Sequence, residues 1–390
     1  MRTEQHPLPA GSSNCHYSLT SFHYGQPGVQ KVYLQASLHA DELPGMLVLH
    51  HLRPLLAQAE AEGRLQGEIV VVPVANPIGL GQTFMHDQMG RFDFASGANF
   101  NRGFPDLSED LITLLADSLS DDAQHNVRSI RAGIRQLLDR AECRTPLDAM
   151  RTGLMRLAHD ADIVLDLHCD CEGVMHIYAS SDHVATAQQL GRCLGARALL
   201  IADAIGGACF DEMLFKPWLR LREHFGAQYP VPQSCFASTV ELRGEQDVSH
   251  QLASADAQGI YQYLCDAGMI AGTVPPLAGG GVRTDSADRI GDCARYRAGR
   301  DLVCCPSRRC AEVRRCDLRN CRSAVRTCVC GDQCDRWRDV FAGDISLRHA
   351  RHGAGQDCRH PCNTQRRLAR TLISRPVFIE ISGVCINIPD

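Results

Sequence analysis

The fold turns on "KVYLQASL" (31–38) and the segment that follows it at once, "HADELPGMLVLHHLRPLLAQAEAEGRL" (39–65). The first is the β-branched, apolar run of a buried strand. The second repeats its apolar residues at helical spacing, with Pro44 near the first turn, where a missing N–H costs nothing. Between strand and helix stand His39 and Glu42, three residues apart. Their spacing alone leaves three readings: a pair of metal ligands, a carboxylate favouring the helix N-terminus, or a chance pair.

Outward from this unit the same alternation continues. "GEIVVVPVAN" (67–76) is a near-continuous buried strand ended by Asn76-Pro77, and "ADIVLDLH" (161–168) is another. "GVMHIYAS" (173–180), "ARALLIAD" (196–203) and "ASTVELRG" (237–244) are further strands. Helical patterns fill 108–160, with a break near Thr145-Pro146, then about 182–195 and 248–267. Strands that are apolar on both faces belong to a largely parallel sheet covered by helices. The sequence therefore predicts an α/β three-layer sandwich with a mixed, largely parallel central sheet.

With 390 residues, 44% of them hydrophobic, the chain is long enough to bury a substantial core. Its longest apolar stretches fall short of the roughly 20 residues of a membrane helix, and its first residues form no apolar signal core. The expectation is a soluble, cytoplasmic protein with reduced thiols and no membrane partner.

Charge and cysteine divide the chain in two. Residues 283–375 carry 21 arginines against 11 acidic residues, whereas residues 1–282 carry 19 basic and 32 acidic ones. Eleven of the 20 cysteines lie in the same 283–375 stretch. The alternation of strands and helices stops at "GTVPPLAGGGV" (272–282), and neither period follows. This predicts a main domain over 1–272 and an atypical Arg/Cys-rich region over 273–390. Cys328, Cys330, Cys334, Cys358 and Cys362, with His349, His352 and His360, invite a zinc reading, but no C-x2-C pair repeats in order. Arginines neutralise phosphates, yet Trp337 and Tyr296 stand nearly alone as aromatic residues, so nucleic acid is not expected as a partner. The preferred reading is a stretch translated in a shifted frame: a GC-rich coding sequence, reflected in 38 arginines against two lysines, yields Arg and Cys when read out of register.

His39 and His168 each close an apolar strand run, and a sheet of this kind presents its functional residues at the carboxyl ends of its strands. His39, Glu42 and His168 make a three-ligand set that leaves a position for water. Asp166, on the same strand face as His168, suits support behind that ligand.

Four motifs in order, "HADE" (39–42), "NFNRGFPD" (99–106), "DLHC" (166–169) and "TVELRG" (239–244), resemble the succinylglutamate desuccinylase/aspartoacylase family of the zinc carboxypeptidase superfamily. The resemblance covers about 30–270. It implies that His39, Glu42 and His168 hold one zinc ion, that Asn101 and Arg102 hold a substrate carboxylate, and that Glu241 serves as general base and then general acid. Arg91 is the match for a second arginine that polarises the scissile carbonyl. The implied activity is zinc-dependent hydrolysis of the amide of an N-acyl amino acid or related small carboxylate. The alternatives are a carboxypeptidase-like metallopeptidase and a non-catalytic metal-binding module with a basic, nucleic-acid-binding tail. Family members carry a small β domain after the hydrolase that shapes the substrate entrance, and this chain departs from that pattern after about 280. Resequencing the coding DNA should expose a frame error upstream of the Arg/Cys run; an intact frame encoding the same residues in close relatives would overturn that reading.

Overall fold

The computed structural model describes residues 1–272, apart from 12–14, 29 and 205, and the backbone of three strands beyond them. In chain order the first elements are β1 (Arg2–Pro7), β2 (Ser18–Gly25), β3 (Lys31–Ala36), α1 (Pro44–Ala61), β4 (Glu68–Val72), α2 (Pro77–Leu80), β5 (Thr83–Phe84) and β6 (Asp87–Gln88). Next come α3 (Ser108–Leu115), α4 (Ala123–Arg140), α5 (Pro146–Ala158), β7 (Ile163–Asp170), β8 (His176–Ala179), α6 (Val184–Leu194) and β9 (Ala198–Ile201). The series ends with α7 (Phe210–Phe225), β10 (Phe236–Gly244), α8 (His250–Asp266), β11 (Arg283–Ser286), β12 (Phe378–Ile381) and β13 (Val384–Asn387).

Residues Met1–Asp288 form one compact unit around a nine-stranded sheet in the order β1-β2-β4-β3-β7-β10-β8-β9-β11. The pairs β3–β4, β3–β7, β7–β10, β8–β9 and β9–β11 are parallel, while β1–β2, β2–β4 and β8–β10 are antiparallel. This is the mixed, largely parallel sheet that the apolar runs predict. In the second unit, Arg289–Asp390, the described residues are the antiparallel strands β12 and β13. The zinc-spacing, phosphate-binding and shifted-frame readings of the Arg/Cys run fall on residues outside those described. Among the described residues no helix is long and apolar enough to cross a membrane.

Side-chain alternation explains the three layers. Tyr33, Val70, Val72, Val164 and Ala237 enter one core with Leu111, Ile134, Leu154 and Trp218 from α3, α4, α5 and α7. Their neighbours Val32, Leu34, Val71, Leu165 and Val240 enter the other, with Leu49, Leu190 and Ile260 from α1, α6 and α8. Each central strand is buried on both faces because each face has its own helical cover.

Among the elements that the sequence reading leaves out, two show why an apolar pattern can miss them. β1 is a polar edge strand of mostly exposed or half-buried residues, so no apolar run marks it. α7 carries Pro217 in its interior and follows Gly206-Gly207, signals that ordinarily end helices.

At its start α1 lies close against the sheet. A Cβ on Gly45 would stand 2.9 Å from Ala36 Cβ and 3.0 Å from both Leu167 Cβ and the Leu167 carbonyl oxygen. Gly45→Ala should therefore push the first turn of α1 off β3 and β7. Urea unfolding should show a loss of about 1–3 kcal/mol, the cost of overpacking; a variant as stable as the parent would show that the turn yields without strain.

Candidate metal centre and active site

The site stands at the carboxyl edge of β3, β7 and β10. β3 stops at Ala36, and Ser37 then takes a left-handed φ of 62° while fully buried. Such a conformation in a non-glycine residue costs on the order of 1–3 kcal/mol and persists where the surroundings enforce it. Here it turns the chain out of the sheet and delivers His39. A bond from Glu42 N–H to the His39 carbonyl (3.1 Å) closes the next turn and brings both side chains to one side. Glu42 precedes the helix, and no side chain caps α1; its oxygens meet the two imidazoles instead. His168 arrives on β7, the strand beside β3.

His39, Glu42 and His168 are buried, and each places a ligand atom within 4.8 Å of the other two. Glu42 bridges the rings: Oε1 lies 2.8 Å from His39 Nδ1 and Oε2 lies 2.8 Å from His168 Nδ1. The Cys169 N–H donates to Oε2 at 3.0 Å and anchors the carboxylate. Behind the rings, Asn99 Oδ1 lies 2.9 Å from His39 Nε2, and Asp166 Oδ2 lies 3.0 Å from His168 Nε2, off the line of a straight hydrogen bond. Asn99 Oδ1 also accepts from the Asn101 N–H (2.8 Å), which fixes the amide's orientation. His39 Nε2 must then carry the hydrogen, and its Nδ1 lone pair faces a carboxylate oxygen that is an acceptor too. Two acceptors at that separation repel unless a proton or a cation lies between them. Two imidazole nitrogens, one carboxylate and acceptors behind both rings are the donor set of a catalytic divalent-metal site.

The charges agree. Burial opposes protonation of His168, but the carboxylates of Asp166 and Glu42 outweigh it and hold its pKa well above the usual imidazole range. Burial likewise raises the Glu42 carboxyl, and His168 and His39 reverse this, holding it well below the ordinary carboxylate range. The pocket favours positive charge at its centre.

The other residues singled out in the sequence gather around this centre. Arg91 Nη2 donates to Glu42 Oε1 at 3.0 Å. Asn101 is buried; its Oδ1 accepts from the Phe210 N–H (2.9 Å) at the start of α7, and its Nδ2 lies 3.5 Å from His168 Nε2. Arg102 Nη1 donates to the Asn101 carbonyl (2.6 Å), and its stem lies on Gly207, where a Cβ would come within 2.5 Å of Arg102 Cδ. Gly206, Gly207 and Ala208 all have positive φ, and Gly103 and Phe104 donate to the carbonyls of Gly207 and Ala208. This strained loop forms the floor beneath Arg102.

Glu241 sits in register with His168 on β7 and with His176 on β8. It is buried and its Oε2 has no hydrogen-bond partner. Burial, reinforced by Asp170, pushes its carboxyl well above the usual range. Two residues on, Arg243 has a φ of 65° where the β7–β10 register shifts, and its guanidinium is clamped by Asp256.

Three contributors escape the sequence reading. Asn99 lies inside the quoted "NFNRGFPD" motif, which is the signal that was available for it. Arg151, on α5, is buried and donates to the Asn99 carbonyl at 2.9 Å, with its guanidinium over the Phe104 ring. His176 stands opposite Glu241, its Nδ1 2.8 Å from the Val174 carbonyl and its Nε2 3.5 Å from Asp170 Oδ2. Nothing local marks Arg151 or His176.

The sequence model of the succinylglutamate desuccinylase/aspartoacylase catalytic domain matches residues 28–265, and the chain belongs to that family. Among solved structures it is similar to a protein of the same family from Shewanella amazonensis, with 27% identity, 74% of this chain and 78% of that chain covered, and a TM-score of 0.64. A second, from Shewanella frigidimarina, shows 26% identity over 74% of this chain and 77% of its own, with a TM-score of 0.65. No curated protein matches the chain. The family is enzymatic and acts on small acylated substrates.

Because Asn99 sets the ring state of His39, Asn99→Ala should weaken divalent-metal affinity by about 10–100-fold, the usual effect of losing a group behind a ligand. Competition with a chromophoric chelator measures this; unchanged affinity would mean that His39 needs no such partner.

Proposed function

We propose that this chain is a zinc-dependent amidohydrolase that cleaves the linear amide of an N-acyl amino acid or a related small carboxylate, with one zinc ion per chain held by His39, Glu42 and His168. The observation that carries this reading is the buried Glu241, whose Oε2 has no hydrogen-bond partner and which stands in register with His168, one of the three converging ligand groups. Family membership supports it.

Zinc bound there supplies a Lewis acid that makes water a nucleophile near neutral pH and polarises the amide carbonyl. Glu241 accepts a proton from the attacking water and returns it to the leaving nitrogen. Its raised pKa suits both halves of that cycle, since a carboxyl that readily holds a proton also keeps one to donate. Arg91, already beside Glu42, donates to the carbonyl oxygen as it gains charge. Arg102 takes the substrate carboxylate, for which a planar guanidinium fork is suited, and Asn101 holds the backbone that carries it. Burial of all three ligands keeps bulk water from competing.

In Glu241→Gln, kcat should fall by about 100–10,000-fold, the range for removing a general acid–base, while metal analysis still finds one ion per chain. His39→Ala should lose the ion itself. Turnover of N-acetyl and N-succinyl amino acids, beside peptides with free C-termini, checks the substrate class; cleavage of the peptides alone would favour a carboxypeptidase.

A further inference from the structure

The loop that supplies Arg91 has its polarity inverted. Gln82, almost fully buried, lies inside it and donates from Nε2 to the carbonyls of Met89 (2.8 Å) and Phe92 (2.7 Å), while its Oε1 accepts from the Phe94 N–H (2.8 Å). One amide thus ties the loop together at three points. At its tip Met85 and His86 both have positive φ (50° and 75°), the conformation of a tight two-residue hairpin turn between β5 and β6. With the polar group inside, the apolar side chains face out: Met85 is 79% exposed, Phe84 59% and Phe94 55%, with Leu80, Met89 and Phe92 exposed beside them. These six are among nine large hydrophobic residues exposed in the described part of the chain, so they form a concentration and not surface scatter.

The loop also abuts the metal ligands. Ala40 N–H donates to the Gly90 carbonyl (3.0 Å), and Gln88 Nε2 donates to the Ala40 carbonyl (3.2 Å). A Cβ on Gly90 would fall 2.0 Å from the Asp41 nitrogen. The loop that bears these apolar residues is therefore packed, through Gln88 and Gly90, against the His39–Glu42 turn that Arg91 also reaches.

We propose that residues 80–94 form a recognition surface for an apolar acyl group, so that the preferred substrates are amphipathic: a hydrocarbon acyl chain of medium length joined by an amide to a small carboxylate. This rests on the deacylase reading above. Arg91 fixes the carbonyl end of the amide, so the acyl chain extends from that carbonyl along the loop that carries Arg91. The carboxylate lies on the Arg102 side, over Gly207. The chain covers Phe84 and Met85, and the energy gained there adds to binding at the polar anchors.

The test compares kcat/KM for N-acetyl-, N-hexanoyl- and N-octanoylglycine in the zinc-loaded full chain and in a Phe84→Ser/Met85→Ser variant, whose exposed positions spare the fold. In the parent, kcat/KM should rise with acyl length, and the octanoyl-to-acetyl ratio should fall roughly tenfold in the variant, about the worth of two methylene contacts. A flat or falling dependence on length in the parent overturns the proposal, as does an unchanged ratio in the variant. So does sedimentation showing a parent dimer that the variant dissociates with its ratio intact, since the patch would then be a subunit face. If the parent cleaves none of the three, the deacylase reading fails, and calorimetry with the same compounds decides about the loop. Octanoylglycine bound about tenfold more tightly than acetylglycine, with the difference lost in the variant, supports the surface; equal binding sinks it.

Discussion

The Glu42 carboxylate, wedged between two imidazoles with an oxygen 2.8 Å from a ring nitrogen of each, governs how everything around it is arranged. Glu42 cannot relax: the Cys169 N–H grips one oxygen and the Arg91 guanidinium the other. His39 cannot turn its other nitrogen inward without breaking the contact with Asn99, whose own orientation is set by the Asn101 backbone. The repulsion among these groups is relieved by positive charge at the centre, and the raised pKa of His168 expresses the same demand as a proton. A divalent cation at the centre of these three groups would answer the same demand.

Strain serves this arrangement at three places. Ser37 before His39, Arg243 after Glu241, and the run Gly206–Ala208 under Arg102 all lie in left-handed backbone, and each adjoins a residue of the site. Ordinary strand geometry would send successive side chains to alternate faces of the sheet, into the two cores. Leaving that pattern at the strand ends gathers polar groups at one edge. The stability comes from the two covered faces, where Val71, Leu165 and their neighbours are fully buried.

Around the centre the surroundings are asymmetric. On one side the Asn101–Arg102 segment, held by the Arg151 contact to Asn99 and by pairing with Gly207 and Ala208, offers a guanidinium. On the other the 80–94 loop offers Arg91 at its inner edge and hydrocarbon beyond it. A molecule with a charged end and an apolar end matches both sides at once.

From the sequence alone came the class of fold and, through the family resemblance, His39, Glu42 and His168 as candidate ligands. Strands buried on both faces must be continuous apolar runs, and β3, β4, β7 and β10 are legible for that reason. His39 and Glu42 are close because they are three residues apart, a separation that one turn closes. The remainder follows from how the chain packs. That His168, 126 residues beyond Glu42, meets it depends on β7 lying beside β3, and strand order is not written in any local pattern. The bracing of His39 by Asn99, and of Asn99 by Arg151, likewise joins residues whose spacing carries no signal. β1 was illegible because an exposed edge strand need not be apolar, and α7 because its glycines and Pro217 read as breaks. The 80–94 loop shows the limit most plainly. The sequence reading assigns its phenylalanines and methionines no place; in the structure Gln82 occupies the inside, bonded to the loop's backbone, and they face outward.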